Sequence, residues 1–480
     1  MNIYKKFGLF IDGKWRPAGD LETSPVISPV TETTVGNAPV STIADTEAAI
    51  VSAERGFSAW RSTPAFKRAD ALHKITDELT SRYDEAAKMI SIETGKPIAQ
   101  AGREWGLVVD QFRWYAEEAR RIYGRIIESR IPGGRFEVHH EPIGVVAAFT
   151  AWNFPALLIA RKVAPALAAG CSVVLRPSSK TPGVAMILVD CLRAGNLPNG
   201  TINLVIGPIA NTYTPILASK SVRKISLTGS TRVGQKMIRD SADTIKKITM
   251  ELGGNAPMIV FDDANLEATL EAAVATKFAN CGQVCVTLDR IFVHENLYSA
   301  FVKGFAARAK ELILGDGLDP KVQMGPLIDA RSLKAAESVI SETIASGATL
   351  VTGGQRPAHL DTGHFLQPTV FSDVSDTSRV FSEENFAPIA AITKFSEDND
   401  VFSRANASDM GLSAYVFTSS SARAKRAIAE LNTGMVGINS FALAASEAPF
   451  GGTNFSGYGR EGGLEGIKEY LNTKLAQVVL

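Results

Sequence analysis

Cys285, in Gly282-Gln283-Val284-Cys285, is well suited to attack a carbonyl carbon without a metal, because a thiol is partly ionised near neutral pH. The glycine and the polar residue ahead of it predict an accessible loop in which backbone N–H dipoles lower the thiol pKa. The alternative is an inert buried thiol, the commoner fate of an isolated cysteine. Cys281 lies four residues earlier without a nearby histidine, so packing is expected of it rather than metal binding, and no metal site is expected. Attack on a carbonyl creates an oxyanion that needs aimed hydrogen-bond donors. Asn153, in Trp152-Asn153-Phe154-Pro155, offers an N–H that does not titrate near neutral pH, and the backbone N–H of Cys285 offers a second. Closing a turn is the plainer job for such an asparagine. Glu251 opens Glu251-Leu252-Gly253-Gly254-Asn255, where the glycine pair and the apolar run after it suggest a strand end facing a crevice rather than a solvated surface acid.

Three further segments have types and spacing that suit a nucleotide. Gly229 and Gly234 in Thr228-Gly229-Ser230-Thr231-Arg232-Val233-Gly234 frame a strand-to-helix turn whose N–H groups can face a pyrophosphate. A simple glycine turn explains the same residues. Arg176-Pro177-Ser178-Ser179-Lys180 combines a guanidinium fork with an adjacent ammonium, which suits phosphate or makes a solvated basic turn. Glu384 and Phe386, taken alone, read as an exposed acid and a core aromatic.

The elements that must hold these residues follow from periodicity. Phe10 to Trp15 predicts a hairpin around Asp12-Gly13, and a long helical region follows from about Asp45 to Arg120, with Leu72, Ile75 and Leu79 at helical spacing and a stop at Gly95-Lys96-Pro97. Residues 124–142 predict a two-stranded arm around Pro132-Gly133-Gly134. Apolar runs at 144–149, 172–175, 202–205 and 224–228, most separated by helix-length segments, predict a doubly wound parallel sheet. A second α/β alternation runs from about 254 to 452, with strands at 257–261, 290–293, 350–351 and 389–392 and a helix capped near Asp263. At 480 residues the chain is long enough for two or three domains. Its 50 basic and 50 acidic residues leave no charge surplus, which argues against nucleic-acid or membrane-surface binding. The 4 scattered cysteines and an N-terminus without an apolar leader point to a reducing, cytoplasmic location. The most apolar stretch, 143–160, contains Asn153 and Pro155 and is expected to be a core strand and turn rather than a membrane span.

In their order along the chain these motifs, with Pro449-Phe450-Gly451-Gly452 after them, resemble the aldehyde dehydrogenase superfamily, and in overall pattern the succinate-semialdehyde dehydrogenases. The resemblance implies an NAD(P)-dependent oxidation of an aldehyde to the acid. Cys285 would form a thiohemiacetal and then a thioester, Asn153 would hold the oxyanion, and Glu251 would activate water. It implies a cofactor-binding domain of residues 1–123 and 143–253, with 453–469 packing back on it, a catalytic domain of 254–452, and an oligomerisation arm of 124–142 and 470–480 that makes a homodimer or homotetramer. Cofactor contacts are implied for Trp152, Arg176, Ser179, Lys180, Gly229, Ser230, Gly234, Leu252, Glu384 and Phe386, and substrate contacts for Phe154, Arg161 and Phe450.

The departures are informative. NAD-dependent members carry lysine and glutamate where this chain has Arg176 and Ser179, so NADP is expected at least as readily as NAD. Of the three groups that hold a substrate carboxylate in the resembled subfamily, Arg161 matches, while Ala279 and Ala444 replace an arginine and a serine. An uncharged aromatic or aliphatic aldehyde is therefore expected, and the alternative is succinate semialdehyde or a similar acid, with Arg290 as a substitute anchor. Thr287 stands where some relatives carry a second cysteine, so a disulfide lock is not expected. A CoA-acylating enzyme and a noncatalytic scaffold are the remaining readings.

Overall fold

The computed structural model describes residues 3–479; Met1, Asn2 and Leu480, the last of them assigned above to the arm, lie outside the described residues. The expected mixed α/β architecture is observed, as two largely parallel sheets that meet end to end.

The first sheet has the strand order Lys14–Arg16, Leu9–Ile11, Ile202–Leu204, Ser172–Arg176, Val145–Phe149, Val222–Thr228, Lys247–Glu251, Gly457–Tyr458. Its five central strands are parallel, and the short outer strands pair antiparallel to them. Val145–Phe149 is buried along its whole length, as an uninterrupted apolar run requires when helices cover both faces. From this strand the chain winds one way through Ser172–Arg176 and Ile202–Leu204, then returns through Val222–Thr228 to go the other way. The crevice between Val145–Phe149 and Val222–Thr228 is thus a topological switch point, where open α/β sheets take ligands. The long helical region of the sequence resolves into Ile43–Trp60, Ala65–Ser81, Tyr83–Thr94 and Ile98–Glu118. The predicted stop is real: Gly95 takes the left-handed conformation, φ 72°, at the end of the third of these helices.

The second sheet has the order Thr349–Thr352, Thr369–Ser372, Ile389–Phe395, Leu288–His294, Ala256–Val260, Ser413–Phe417, Met435–Ile438, parallel except at its first pair. Three of these strands, at 369–372, 413–417 and 435–438, were not picked out from the sequence. The helix placed near Asp263 is Leu266–Phe278 and is capped by Asn265, whose side chain accepts from Ala268 N–H; Asp263 instead receives the Thr418 and Ser419 hydroxyls. A separate antiparallel sheet joins Arg125–Glu128, Gly134–Pro142 and Leu471–Val479. Each large sheet has its own apolar core, and a small third cluster of Leu412, Met435 and Phe450, with Cys285 and Val286 against it, fills the seam.

Candidate active site

The strands of the first sheet point their C-terminal ends at the N-terminal ends of the second sheet's strands, and the loops from both meet in one cavity of about 410 Å³. The loop after Val145–Phe149 supplies Trp152, Asn153 and Phe154; the turn after Val222–Thr228 supplies Gly229 and Ser230; Glu251 ends its strand and Leu252 follows. From the other side come Cys285, ahead of Leu288–His294, and Glu384 and Phe386, ahead of Ile389–Phe395. Arg161 and Phe450 line the same cavity. The glycine pair explains how the loops approach so closely: a Cβ on Gly253 would stand 2.5 Å from Glu384 Oε2, and one on Gly254 2.3 Å from the carbonyl oxygen of Cys285.

Cys285 is half-buried, and its thiol is pushed up to about 12 by burial and by the charges of Glu384 and Glu251, against Arg161. The sequence pointed the other way. The backbone dipoles of the loop are outweighed by the apolar seam in which the sulfur sits. Cys281 is 1% exposed within the second core, in the packing role expected of it. Asn153 is buried; its carboxamide donates to Gln283 O at 3.1 Å, which leaves its second N–H for the cavity. Glu251 is 3% exposed, neither of its oxygens has a hydrogen-bond partner among the described residues, and its pKa is raised well above the ordinary value by burial and by Glu461. A carboxyl raised in this way keeps its proton to higher pH than a solvated one and can exchange it with a group in the cavity.

Arg161 projects from Leu157–Ala169, a helix buried on every side. The guanidinium lies 3.9 Å from the Phe450 ring centroid and is 3% exposed, and its Nε and Nη2 have no acceptor among the described residues. Arg290 takes no part: it donates to the carbonyls of Asn255, Arg404 and Ala405 and does not line the cavity. Ala444 lines the cavity and Ala279 does not.

Ser230 caps helix Thr231–Ser241 by accepting from Val233 N–H, and Gly234 packs on Leu252, where a Cβ would come within 2.6 Å of Cδ2. Glu384 accepts from Gly254 N–H at 3.0 Å, and burial pushes its carboxyl up to about 8. Phe386 sits at φ 50°, a left-handed position that L residues rarely hold, and its ring meets Trp152 edge-on at 5.7 Å. Arg176 donates to Gly207 O at 2.8 Å and to Thr212 Oγ1, and Lys180 pairs with Asp329, so the basic segment is more committed to the protein than its sequence suggests. Ser179 is exposed. Arg176, Ser179, Lys180 and Gly234 lie outside the cavity.

Two residues beside Glu251 escaped the sequence reading. Lys162 bonds Thr228 Oγ1 at 2.7 Å and pairs with Glu461, whose Oε2 has no partner. The signal for Lys162 was present, as two consecutive basic residues interrupting a buried helix; Glu461, in a glycine-rich loop, gave none.

A doubly wound sheet with a glycine turn at its switch point thus faces a thiol, a carboxamide and a carboxyl that has no hydrogen-bond partner among the described residues, all on loops around one cavity. The chain belongs to the aldehyde dehydrogenase family, whose sequence profile matches residues 15–476. It is 42% identical over 465 residues to the 3-sulfolactaldehyde dehydrogenase of Pseudomonas putida, spanning 97% of this chain and 95% of that one. It is 40% identical to the NADP(+) succinate-semialdehyde dehydrogenase of Escherichia coli K12 over 98% of both chains. The crystal structure of succinate-semialdehyde dehydrogenase from Burkholderia pseudomallei superposes with a TM-score of 0.97 at 40% identity, over 99% of this chain and 98% of that one. The enzyme is an oxidoreductase that oxidises an aldehyde.

Proposed function

We propose that this aldehyde dehydrogenase acts on short aldehydes carrying a remote anion, with semialdehydes foremost, and that Arg161 receives the anion. The carrying observation is a buried guanidinium in the cavity with two unsatisfied donors. A carboxylate or sulfonate would satisfy both, and this fits the aldehydes named for the two curated relatives. Ala279 and Ala444 suggested an uncharged substrate; the free donors of Arg161 outweigh them.

The test is kcat/KM for succinate semialdehyde against butyraldehyde. The ratio is expected to exceed one and to fall roughly thirtyfold in Arg161→Met, the equivalent of about 2 kcal/mol for a charged hydrogen bond. A wild-type ratio at or below one would return the uncharged aldehyde to first place.

In this reading the thiol loses its proton as it attacks, and Glu251, in the same cavity with both oxygens free, is the acceptor. Asn153 Nδ2 and the Cys285 N–H take the oxyanion. A nicotinamide dinucleotide would supply the hydride acceptor, and the residues present suit one: the Ser230-capped helix end would hold its phosphates, Glu384 its ribose, and Trp152 and Phe386 would pack near its ring. NADP and NAD both suit Ser179, which brings no acid to repel a 2′-phosphate. Glu251 then activates water against the thioester, which favours hydrolysis over CoA transfer. Residues 1–123 and 143–253 serve as the cofactor-binding domain, 254–452 as the catalytic domain, and 124–142 with the terminal strand as the arm of a homodimer or homotetramer. Four free cysteines suit the cytoplasm, and among the described residues no helix is long and apolar enough to cross a membrane.

A further inference from the structure

Lys96 lies between two helix signals, the Gly95 that ends Tyr83–Thr94 and the Pro97 that precedes Ile98–Glu118. Its side chain turns inward and is 1% exposed. The ammonium donates to the backbone carbonyl of Asn153 at 2.9 Å, pairs with Glu104 Oε2 at 2.5 Å, and stands 3.8 Å from the Phe154 ring centroid. The other oxygen of Glu104 accepts from the N–H groups of Ala156 and Leu157, at 2.9 and 3.2 Å. It thereby caps a helix whose own N-cap residue, Ala156, has no side chain able to do so. The pair grips the 153–157 backbone by a carbonyl at one end and two amides at the other.

The same carbonyl of Asn153 also accepts from Asn280 Nδ2 at 3.0 Å, and the Asn153 carboxamide donates to Gln283 O. Asn280 itself sits at φ 48°, followed by Cys281 at 57° and Gly282 at 71°, so three consecutive left-handed residues shape the approach to Cys285. A backbone held there needs external support. Removing two ions from water is costly, and apolar side chains could fill the same space without that cost. What apolar side chains cannot do is fix a carbonyl and two amides at set positions.

We propose that Lys96 and Glu104 are positioning residues for the acylation step, holding the Asn153 peptide so that its carboxamide meets the oxyanion and its carbonyl docks the 280–285 loop. This rests on the oxyanion role given to Asn153 above.

The experiment is single-turnover formation of reduced nicotinamide, with holoenzyme in excess over succinate semialdehyde, and butyraldehyde as a second probe. Lys96→Met/Glu104→Gln removes both charges together and keeps an acceptor for the two amides. It is expected to retain full amplitude per folded site and unchanged cofactor affinity, with the rate constant about tenfold lower, because misaimed donors cost rate rather than occupancy. In an Asn153→Ala background the same double change should alter the rate less than about twofold, since residues acting through one group are not additive. An unchanged rate in the double variant, or an equal loss in both backgrounds, overturns the positioning role and leaves Asn153 its own. An Asn153→Ala enzyme with the wild-type rate overturns the oxyanion reading and this inference with it. If the double variant does not fold, Glu104→Gln alone is read the same way: a slower rate that disappears in the Asn153→Ala background supports the role, and a wild-type rate overturns it.

Discussion

Burial and charge set the Cys285 thiol against its own chemistry. The sulfur sits in an apolar seam with two carboxyls nearby, and both carboxyls raise its pKa whenever they ionise. Glu384, itself pushed up to about 8, is largely neutral below that pH and becomes charged above it. The sign of the effect follows: above about pH 8 the Glu384 carboxylate suppresses thiolate formation, and below it the suppression fades. In the cofactor-free enzyme, Glu384→Gln keeps the acceptor for Gly254 N–H but cannot ionise. Alkylation of Cys285 by iodoacetamide is therefore expected to run faster in the variant than in wild type, with a gap that widens from about pH 8 upward. Equal rates across the range would mean that Glu384 does not sense the sulfur. Cys281→Ala provides the reference for labelling, because its thiol is buried in the second core.

The elements that carry the site depend on a few short contacts that periodicity does not display. Glu251 ends a strand whose outer neighbour is the two-residue Gly457–Tyr458, registered Met250 to Tyr458 and Glu251 to Gly457. Gly457 lies at φ 111°, and a Cβ there would fall 1.9 Å from the Met250 carbonyl oxygen. Gly457→Ala must therefore push the edge strand away and loosen the end of the strand that aims Glu251. If Glu251 is the hydrolytic base, the variant should still give a burst of reduced cofactor and then turn over slowly, in the manner expected of Glu251→Gln, because acylation precedes the step that needs the activated water. A lost burst with normal later turnover would contradict this. The same contacts explain what could be read beforehand. Buried parallel strands at 145–149, 172–176, 202–204 and 222–228 announce themselves as apolar runs, and the motifs on their C-terminal ends come with them. The strand at 435–438, Met-Val-Gly-Ile, is short and holds a glycine, and 413–417 opens with a buried serine, so neither stands out. Lys96 was legible as a helix stop but not as a buried ion, because nothing in Gly-Lys-Pro shows that the lysine turns toward Asn153 and Glu104. The raised pKa of Cys285 was likewise invisible, since it comes from residues distant in sequence.

At the scale of the molecule, the three-stranded arm has two unlike faces. Register places Arg135, Glu137, His139, Glu141 and Lys474 on one side, where Glu137 meets Arg135 and His139, and Glu141 pairs with Lys474. The other side carries Ile127, Phe136, Leu475 and Val479 among Arg125, His140, Thr473 and Gln477, with Leu475 63% and Val479 53% exposed, while Ile126 lies on the charged side. Among the described residues the nine-residue strand Leu471–Val479 pairs only with Gly134–Pro142, which leaves its other edge without a partner strand there. An edge this long and this apolar invites association and is uncommon on a chain that stays alone. A second copy of the chain, brought by two-fold symmetry, can cover face and edge together. Leu475→Lys with Val479→Lys places charges on that face without touching the ion pairs of the other, and should shift sedimentation toward the single-chain mass. The thermal midpoint of the wild type should rise with protein concentration and that of the variant should not, because only an assembly gains stability by mass action. A wild-type chain that sediments as a monomer at all concentrations would show that the arm serves another purpose. A variant that stays assembled would place the interface elsewhere, since two lysine side chains on a shared apolar face cannot be desolvated without partners.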